Sequence, residues 1–322
     1  MRQGSLAAAA AIAAILGAFF EPQAATAETR VTFKSAKSTS SYYQMSVQIA
    51  EAVRAATDGG MILTVEESQG SVQNVKEAPK RGANYVFTTP PGLIGMATGA
   101  QKMFEKDDAA AYKEIRSLFP IPYLTMHMVV RADAGVKSVA DLAGKKFLIG
   151  KGSFGASEAE KYLGLFGLDG KVDLVDVELN SAVPAMKNGQ IDGFATAGSH
   201  PAPNVMEAAA GGGIHLISLS DEQISQTKRD KLIIPAGTYP GVDSDTATTT
   251  LPVGAYTTSA TDDDTAYALT KAFWESKDAM AKTSPWWNAI TFGELATLGA
   301  PLHPGAARYY KEAGATIPAS LN

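Results

Sequence analysis

The chain has 322 residues, no cysteine and a formal charge of −5 at neutral pH. The missing thiols exclude disulfides, thiol catalysis and cysteine-bound metals, and the mild acidity argues against nucleic acid, whose binding needs a basic face. The length suits one large domain or two of ordinary size.

The first 27 residues read as a secretory signal. Arg2 supplies the positive start, an apolar stretch runs from Leu6 to Phe20, and Ala25-Thr26-Ala27 is a small-residue cleavage site. Cleavage there removes one base and one acid and leaves the charge at −5. The apolar stretch is too short for a bilayer span, and no later segment is apolar enough for one. The expectation is a soluble protein exported across a bacterial inner membrane into the periplasm.

Taken in order, the mature chain alternates strand, polar loop and helix. Arg30 to Phe33 is β-rich. The hydroxyl-rich loop Ser38, Thr39, Ser40 and Ser41 then precedes a helix whose stripe is Tyr42, Met45, Ile49 and Val53. Tyr42 belongs to that stripe, which leaves Tyr43 freer to turn toward a ligand. Met61 to Val65 is the next strand. Gln69, Gly70 and Ser71 then open a helix with Val72 and Val75, shortened or kinked by Pro79. Tyr85-Val86-Phe87 forms a third strand ending in Thr88, Thr89 and Pro90. Two β-rich runs follow, Ile115 to Ile121 and His127 to Arg131. Pro120 and Pro122 between them mark a crossing to a second lobe.

The second lobe repeats the theme: strand 146–149, the loop Gly150 to Gly155 containing Lys151, Gly152 and Ser153, then a helix over 156–166. Strand 172–177, helix 182–187 and strand 194–196 follow. The loop with Gly198, Ser199 and His200 leads into a helix ending near Ala210. A faint echo links Gly82-Ala83-Asn84-Tyr85-Val86-Phe87-Thr88-Thr89 to Gly189-Gln190-Ile191-Asp192-Gly193-Phe194-Ala195-Thr196, as in two related lobes. The stretch Leu232 to Gly241 is tightly steered by Pro235, Gly237, Pro240 and Gly241. It reads either as a surface turn or as a rigid connector whose Tyr239 faces a cleft. Leu251 to Tyr256 returns to the first lobe. A helix opened by Asp262-Asp263-Asp264 follows, and a last helix runs from Pro304 to Ala313.

The repeated pattern predicts an α/β fold of two lobes, each a mainly parallel sheet flanked by helices. Residues 28–121 with 250–322 form one lobe, and 122–249 the other. Ligands of such sheets sit beyond the carboxyl ends of the strands, where the four polar loops gather. A helix start offers unpaired amides and partial positive charge, so these loops suit an anion. Lys151, inside a Gly-Lys-Gly-Ser loop, is the favoured cation; solvated surface is the ordinary fate of such a lysine.

Enzyme signatures fail. Gly144 and Gly150-Lys151 have the wrong spacing for a phosphate loop, and Gly152 stands where it needs Ser or Thr. Gly155-Ala156-Ser157-Glu158-Ala159 lacks the last glycine of a nucleophile elbow. His127, His200, His215 and His303 show no metal-ligand spacing. His127 reads as a strand residue and His200 as a candidate contact. Trp286-Trp287 reads as a packing cluster or a partner surface.

The chain resembles the TAXI class of solute-binding proteins that serve TRAP transporters. The resemblance rests on Tyr42-Tyr43, Gln69-Gly70-Ser71-Val72-Gln73-Asn74, Val129-Val130-Arg131 and Gly135-Val136-Lys137-Ser138-Val139-Ala140-Asp141-Leu142-Ala143-Gly144-Lys145. It continues through Leu163 to Leu168, Lys187-Asn188-Gly189-Gln190-Ile191-Asp192-Gly193, Ile234 to Gly241, and Pro301-Leu302-His303-Pro304-Gly305-Ala306-Ala307-Arg308-Tyr309-Tyr310. The resemblance implies a hinged periplasmic-binding-protein fold that closes on a small carboxylate such as glutamate, glutamine or 2-oxoglutarate. It also implies a membrane permease with ion-driven uptake as partner. The chain departs from the class in its glycine-free first loop, in Thr88-Thr89-Pro90, and in His200 where a tyrosine is usual.

The expected contacts are therefore Ser38, Thr39, Ser40, Ser41, Tyr43, Gly70, Ser71, Val72, Thr88 and Thr89 from one lobe. Lys151, Gly152, Ser153, Ser199, His200 and Tyr239 face them from the other. A monomer without catalysis, cofactor or metal is expected. The competing readings are an ABC-importer binding protein, an exported hydrolase or lyase using Ser199 and His200, and a surface sensor or adhesion module.

Overall fold

The computed structural model describes residues 28–211 and 213–322, and the expected export signal lies outside them. The first lobe opens with β1 (Thr29–Lys34), α1 (Ser41–Ala56), β2 (Met61–Glu66), α2 (Ser71–Arg81), β3 (Tyr85–Thr89), α3 (Pro91–Thr98) and the single turn α4 (Ala109–Tyr112). The long strand β4 (Ile115–Arg131) leads into the second lobe. That lobe holds β5 (Lys146–Leu148), α5 (Phe154–Leu165), β6 (Asp173–Val175), α6 (Ala182–Lys187), β7 (Gly193–Gly198) and α7 (Pro203–Ala210). It ends with β8 (Ile214–Leu216), α8 (Asp221–Thr227) and β9 (Asp230–Ile234). Strand β10 (Thr246–Thr258) returns to the first lobe, which α9 (Asp263–Ala281) and α10 (Pro304–Glu312) complete.

Local chemistry accounts for the helices. Ser40 caps α1 by accepting the Tyr43 amide, and Tyr42, Met45, Ile49 and Val53 form its buried stripe. Asp262 caps α9 in the same way, and Asp263 and Asp264 place negative charge at its amide end. Helix α2 runs past Pro79 as far as Arg81. Helix α3 has no counterpart in the sequence reading, because Gly92 and Gly95 dilute its short apolar segment.

The strands follow the order β2-β1-β3-β10-β4-β7-β5-β6, with β8 beside β4 and β9 beside β10. Each lobe thus carries a parallel trio, β2-β1-β3 or β6-β5-β7, followed by one antiparallel strand. The echo noted in the sequence falls on matching parts: Gly82 and Gly189, both at positive φ, precede β3 and β7, the strands that flank the antiparallel pair.

Strands β10 and β4 run through both lobes. The sequence predicts separate strands on either side of Pro120 and Pro122, whereas the structure has one strand of 17 residues. Pro120 sits opposite Gly254 without breaking the strand. The ladder slips next to Pro122: Leu124 pairs with Leu251 and Ile121 with Val253, so two residues of β4 face Pro252 alone. This is a β-bulge at a place where neither proline has an amide to donate.

The steered stretch after β9 is a surface turn, exposed at Pro235 to Gly237 and at Pro240 and Gly241, but its tyrosine points into the core rather than toward a cleft. Tyr239 is completely buried in a second-lobe cluster with Phe194, Ala202, Val205 and Ile234. Its hydroxyl accepts the Ala202 amide at 2.9 Å and meets His127 Nε2 at 2.8 Å. His127 Nδ1 lies 3.1 Å from the Thr125 carbonyl, which only accepts, so Nδ1 carries the proton and Nε2 accepts from Tyr239. One tyrosine therefore ties the 235–242 turn to β4 and to the start of α7. Glycines with positive φ at 237 and 241 shape that turn.

Two outcomes follow. Tyr239→Phe leaves the Ala202 amide and His127 Nε2 without their partner, and should cost about 1–3 kcal/mol in denaturant unfolding. Burial pushes the His127 pKa from its ordinary 6.5 down to about 3. The unfolded state then binds the extra proton between those values, so stability contributed above pH 6.5 is lost progressively as pH falls toward 3. His127→Gln should flatten the slope of unfolding free energy against pH across that window.

Candidate ligand-binding cleft

The carboxyl ends of β1, β5 and β7 converge on one cleft between the lobes. From the first lobe it is lined by Ala36, Lys37, Ser40 and Tyr42, and by Gln69, Gly70 and Ser71 at the start of α2. From the second come Ile149, Gly150, Lys151, Ser153, Phe154 and Gly155 around the start of α5, together with Leu179 and Ala195, Thr196 and Ala197 of β7. Leu124 of β4 forms the floor.

The two helix starts meet across this gap. Gly70 is the N-cap of α2 at φ 123° and brings no side chain to cap the helix. A Cβ built there would lie 3.7 Å from Ser153 and 3.9 Å from the Phe154 amide nitrogen. Ser153 caps α5 by accepting the Ala156 amide at 2.9 Å. Both helices therefore present the positive ends of their dipoles to the same space.

A polar contact spans the mouth. Glu178 of the second lobe accepts from Gln69 Nε2 at 2.5 Å and pairs with Lys37 Nζ at 2.8 Å. These hydrogen bonds, the one from Lys37 foremost, hold the Glu178 carboxyl below its ordinary pKa. Lys151 is exposed, and its ammonium is engaged by Asp176 at 2.8 Å. Close packing also joins the lobes at Gly198, where an added Cβ would come within 2.7 Å of the buried Ser41 hydroxyl.

The expected contacts separate into groups. Ser40, Gly70, Ser71, Lys151 and Ser153 line the cleft, and Gly152 faces the Gln69 side chain across it. Ser38 is exposed and gives its amide to Glu67, and Val72 packs on the first-lobe core. Thr39 and Ser41 hold buried hydroxyls that have no hydrogen-bond partner among the described residues. Thr88 and Thr89 are buried in β3, where Asn74 Nδ2 holds the Thr88 carbonyl and the Thr89 hydroxyl donates to the Pro90 carbonyl. Tyr42 lines the cleft rather than Tyr43, because the buried stripe of α1 continues into the cleft wall. Tyr239 lies in the core described above.

Ser199 and His200 face a different space. With Pro122, Tyr123, Thr125, Leu232 and Trp286 they line a groove of about 500 Å³. Leu124 points to the cleft, whereas its neighbours Tyr123 and Thr125 point to the groove, so the two spaces lie on opposite faces of β4. The Ser199 hydroxyl donates to the Tyr123 and Pro122 carbonyls at 2.7 and 3.3 Å, and His200 Nδ1 lies 3.3 Å from the Thr125 hydroxyl. No serine–histidine contact of a nucleophile and its base is made. Trp287 is a packing residue, stacked edge-on against Phe273 and bonded to Gln48, while Trp286 forms part of the groove wall.

Leu124, Ile149, Leu179, Ala195 and Ala197 escaped the sequence reading because an apolar cleft wall looks like core until the fold is known. Glu178 gave no signal, being one acid among several in a polar stretch. Lys37 stood beside a candidate loop, but nothing in the sequence distinguished it from a solvated lysine.

Solved structures share this architecture. The periplasmic binding protein BugD is 12% identical with a TM-score of 0.56, over 90% of this chain and 99% of its own. A Bordetella bronchiseptica RB50 protein is 17% identical with a TM-score of 0.53, over 89% and 98%. A TRAP periplasmic solute binding protein from Desulfovibrio salexigens DSM2638, in complex with diglycerolphosphate, is 14% identical with a TM-score of 0.49, over 92% and 93%. At such identities the likeness concerns the fold, which is the two-lobe fold of periplasmic binding proteins. The NMT1-like family matches residues 33–314, nearly the whole described chain, and the protein belongs to that family, one of binding proteins rather than enzymes.

Proposed function

We propose that the protein is the periplasmic receptor of a TRAP transporter of the TAXI type, which captures a small anionic organic solute and hands it to a membrane permease. The observation that carries the reading is the cleft in which the amide ends of α2 and α5 face each other, closed at its mouth by Lys37 and Gln69 on Glu178. In this reading residues 28–121 and 250–322 move as one lobe and 122–249 as the other. The solute meets Ser40, Gly70, Ser71, Lys151, Gly152 and Ser153. Closure excludes water and strengthens those bonds, and only the solute's preference for the closed state can drive it. The sequence resemblance over Ile234 to Gly241 and Pro301 to Tyr310 favours the TAXI assignment over an ABC importer of the same fold.

The test is a thermal-shift screen of the mature protein against organic acids, amino acids and sulfonates, with calorimetry on the hits and small-angle scattering with and without each hit. A receptor binds one solute class, becomes more compact, and releases the solute chemically unchanged. Consumption of the solute would sink the reading.

The mouth contact makes a second prediction. Glu178→Ala should weaken solute binding by roughly twofold to fivefold, as expected for an exposed ion pair, with the difference shrinking in high salt. Because the Glu178 pKa is lowered in the closed form, this contribution is complete above the ordinary carboxylate range. It disappears as pH falls through the depressed value, and the same titration in Glu178→Ala should lack that component.

A further inference from the structure

We infer that the cleft is built for a compact organic anion with a single charged head, an apolar body and no amino group, such as a short aliphatic carboxylate or sulfonate. This rests on the receptor reading above and narrows the glutamate-like or dicarboxylate ligand suggested by resemblance.

Charge decides the first part. Lys37 and Lys151 are the charged side chains lining the cleft, and no aspartate or glutamate lines it among the described residues. Each lysine is already matched, Lys37 by Glu178 and Lys151 by Asp176, both at 2.8 Å. The ammonium of an amino acid would therefore enter a desolvated space without a counter-charge, and a buried unpaired charge is strongly disfavoured. A second carboxylate finds no unmatched cation, and would have to compete with Asp176 for the exposed Lys151 or with Glu178 for Lys37. Either ligand would have to break one of the existing ion pairs.

A single head has a place to go. Helix α2 has 11 residues and α5 has 12, and their first turns converge where Gly70 approaches Ser153 and Phe154. Gly70 leaves the first turn of α2 uncapped by any side chain, and the Ser71 and Ser153 side chains flank the same point. Amide dipoles from both lobes thus favour one anion, at a position that requires both lobes.

Most of the remaining wall is apolar: Leu124, Ile149, Phe154 and Leu179, with the methyl groups of Ala195 and Ala197, while the polar groups of Ser40, Tyr42, Gln69 and Thr196 that also line it are hydrogen-bonded within the protein. Such a surface favours an aliphatic or aromatic body and penalises a polar tail. In this closed arrangement the cavity is about 50 Å³. An apolar void of about 150 Å³ holds benzene, so the body has only a few heavy atoms unless the lobes stand further apart.

The experiment is calorimetry of the mature protein with propionate, isobutyrate and ethanesulfonate against L-glutamate, 2-oxoglutarate and succinate, repeated with Leu179→Gln. Leu179 is half-buried on the second-lobe wall, and glutamine, one atom longer, puts a polar amide in place of its methyl groups. We expect at least one single-headed anion to bind at least tenfold more tightly than all three polar probes, and Leu179→Gln to weaken it at least fivefold. Preference for carboxylate or sulfonate then identifies the head. Tight binding of glutamate, 2-oxoglutarate or succinate that Leu179→Gln weakens would overturn the substrate class and leave the receptor standing. Binding that Leu179→Gln leaves unchanged, or no binding by any probe, would overturn both.

Discussion

Pro122 and Pro252 lie next to each other on the two strands that both lobes share, and neither has an amide hydrogen to give the ladder. The bulge they produce frees carbonyl groups inside the protein, where an unpaired carbonyl is costly. Tyr42 and Ser199 supply the missing donors. The Tyr42 hydroxyl, from the first helix of the first lobe, donates to the Pro122 carbonyl at 3.1 Å, and Ser199, at the end of β7, donates to the Pro122 and Tyr123 carbonyls. The junction thus holds together through side chains from both lobes where backbone pairing stops. A ladder with fewer backbone bonds resists bending less, and its position at the lobe boundary is where the proposed clamp needs that freedom.

The same strand separates two spaces with different chemistry. The cleft face of β4 carries Leu124 between two helix amide ends, and the opposite face carries Tyr123 and Thr125 beside His200 and Trp286. Ser199 and His200 are neighbours in sequence, yet the serine serves the bulge and the imidazole sits beside Thr125. Their adjacency follows from where β7 ends against β4, and it makes no catalytic pair. This is the structural counterpart of membership in a family of binding proteins.

Much of the architecture was legible because it depends on local rules. The Tyr42–Val53 stripe, the hydroxyl cap at Ser40, the acidic opening of α9 and the strand-loop-helix repeat each need only residues close together in sequence. The converging loops could also be read, since carboxyl ends of parallel strands gather on one edge. What could not be read depends on long-range partners. Pro120 and Pro122 look like a strand break because the strand that accommodates them, with Gly254 opposite Pro120 and Pro252 opposite the β4 bulge, comes about 130 residues later in the chain. Tyr239 sits between turn residues, and only the burial of His127 and the Ala202 amide beside it explains an inward ring. Thr88 and Thr89 end their strand one layer beneath the cleft, covered by Asn74 of α2.

The balance of contacts across the cleft suits a receptor that must let go. The mouth is held by one carboxylate exposed to solvent, and such pairs contribute little individually and less in salt. A closed state held by a buried ion network would trap its solute, whereas a weakly held one needs the solute to tip the equilibrium. The helix amides add an attraction that exists only when an anion lies between the lobes, so the energy favouring closure arrives with the ligand and leaves with it. Matching Lys37 to Glu178 and Lys151 to Asp176 fits the same logic. Each lysine has a partner outside the cavity, so the empty cleft carries no unbalanced side-chain charge drawing its walls apart or together, and the choice between open and closed is left to the solute.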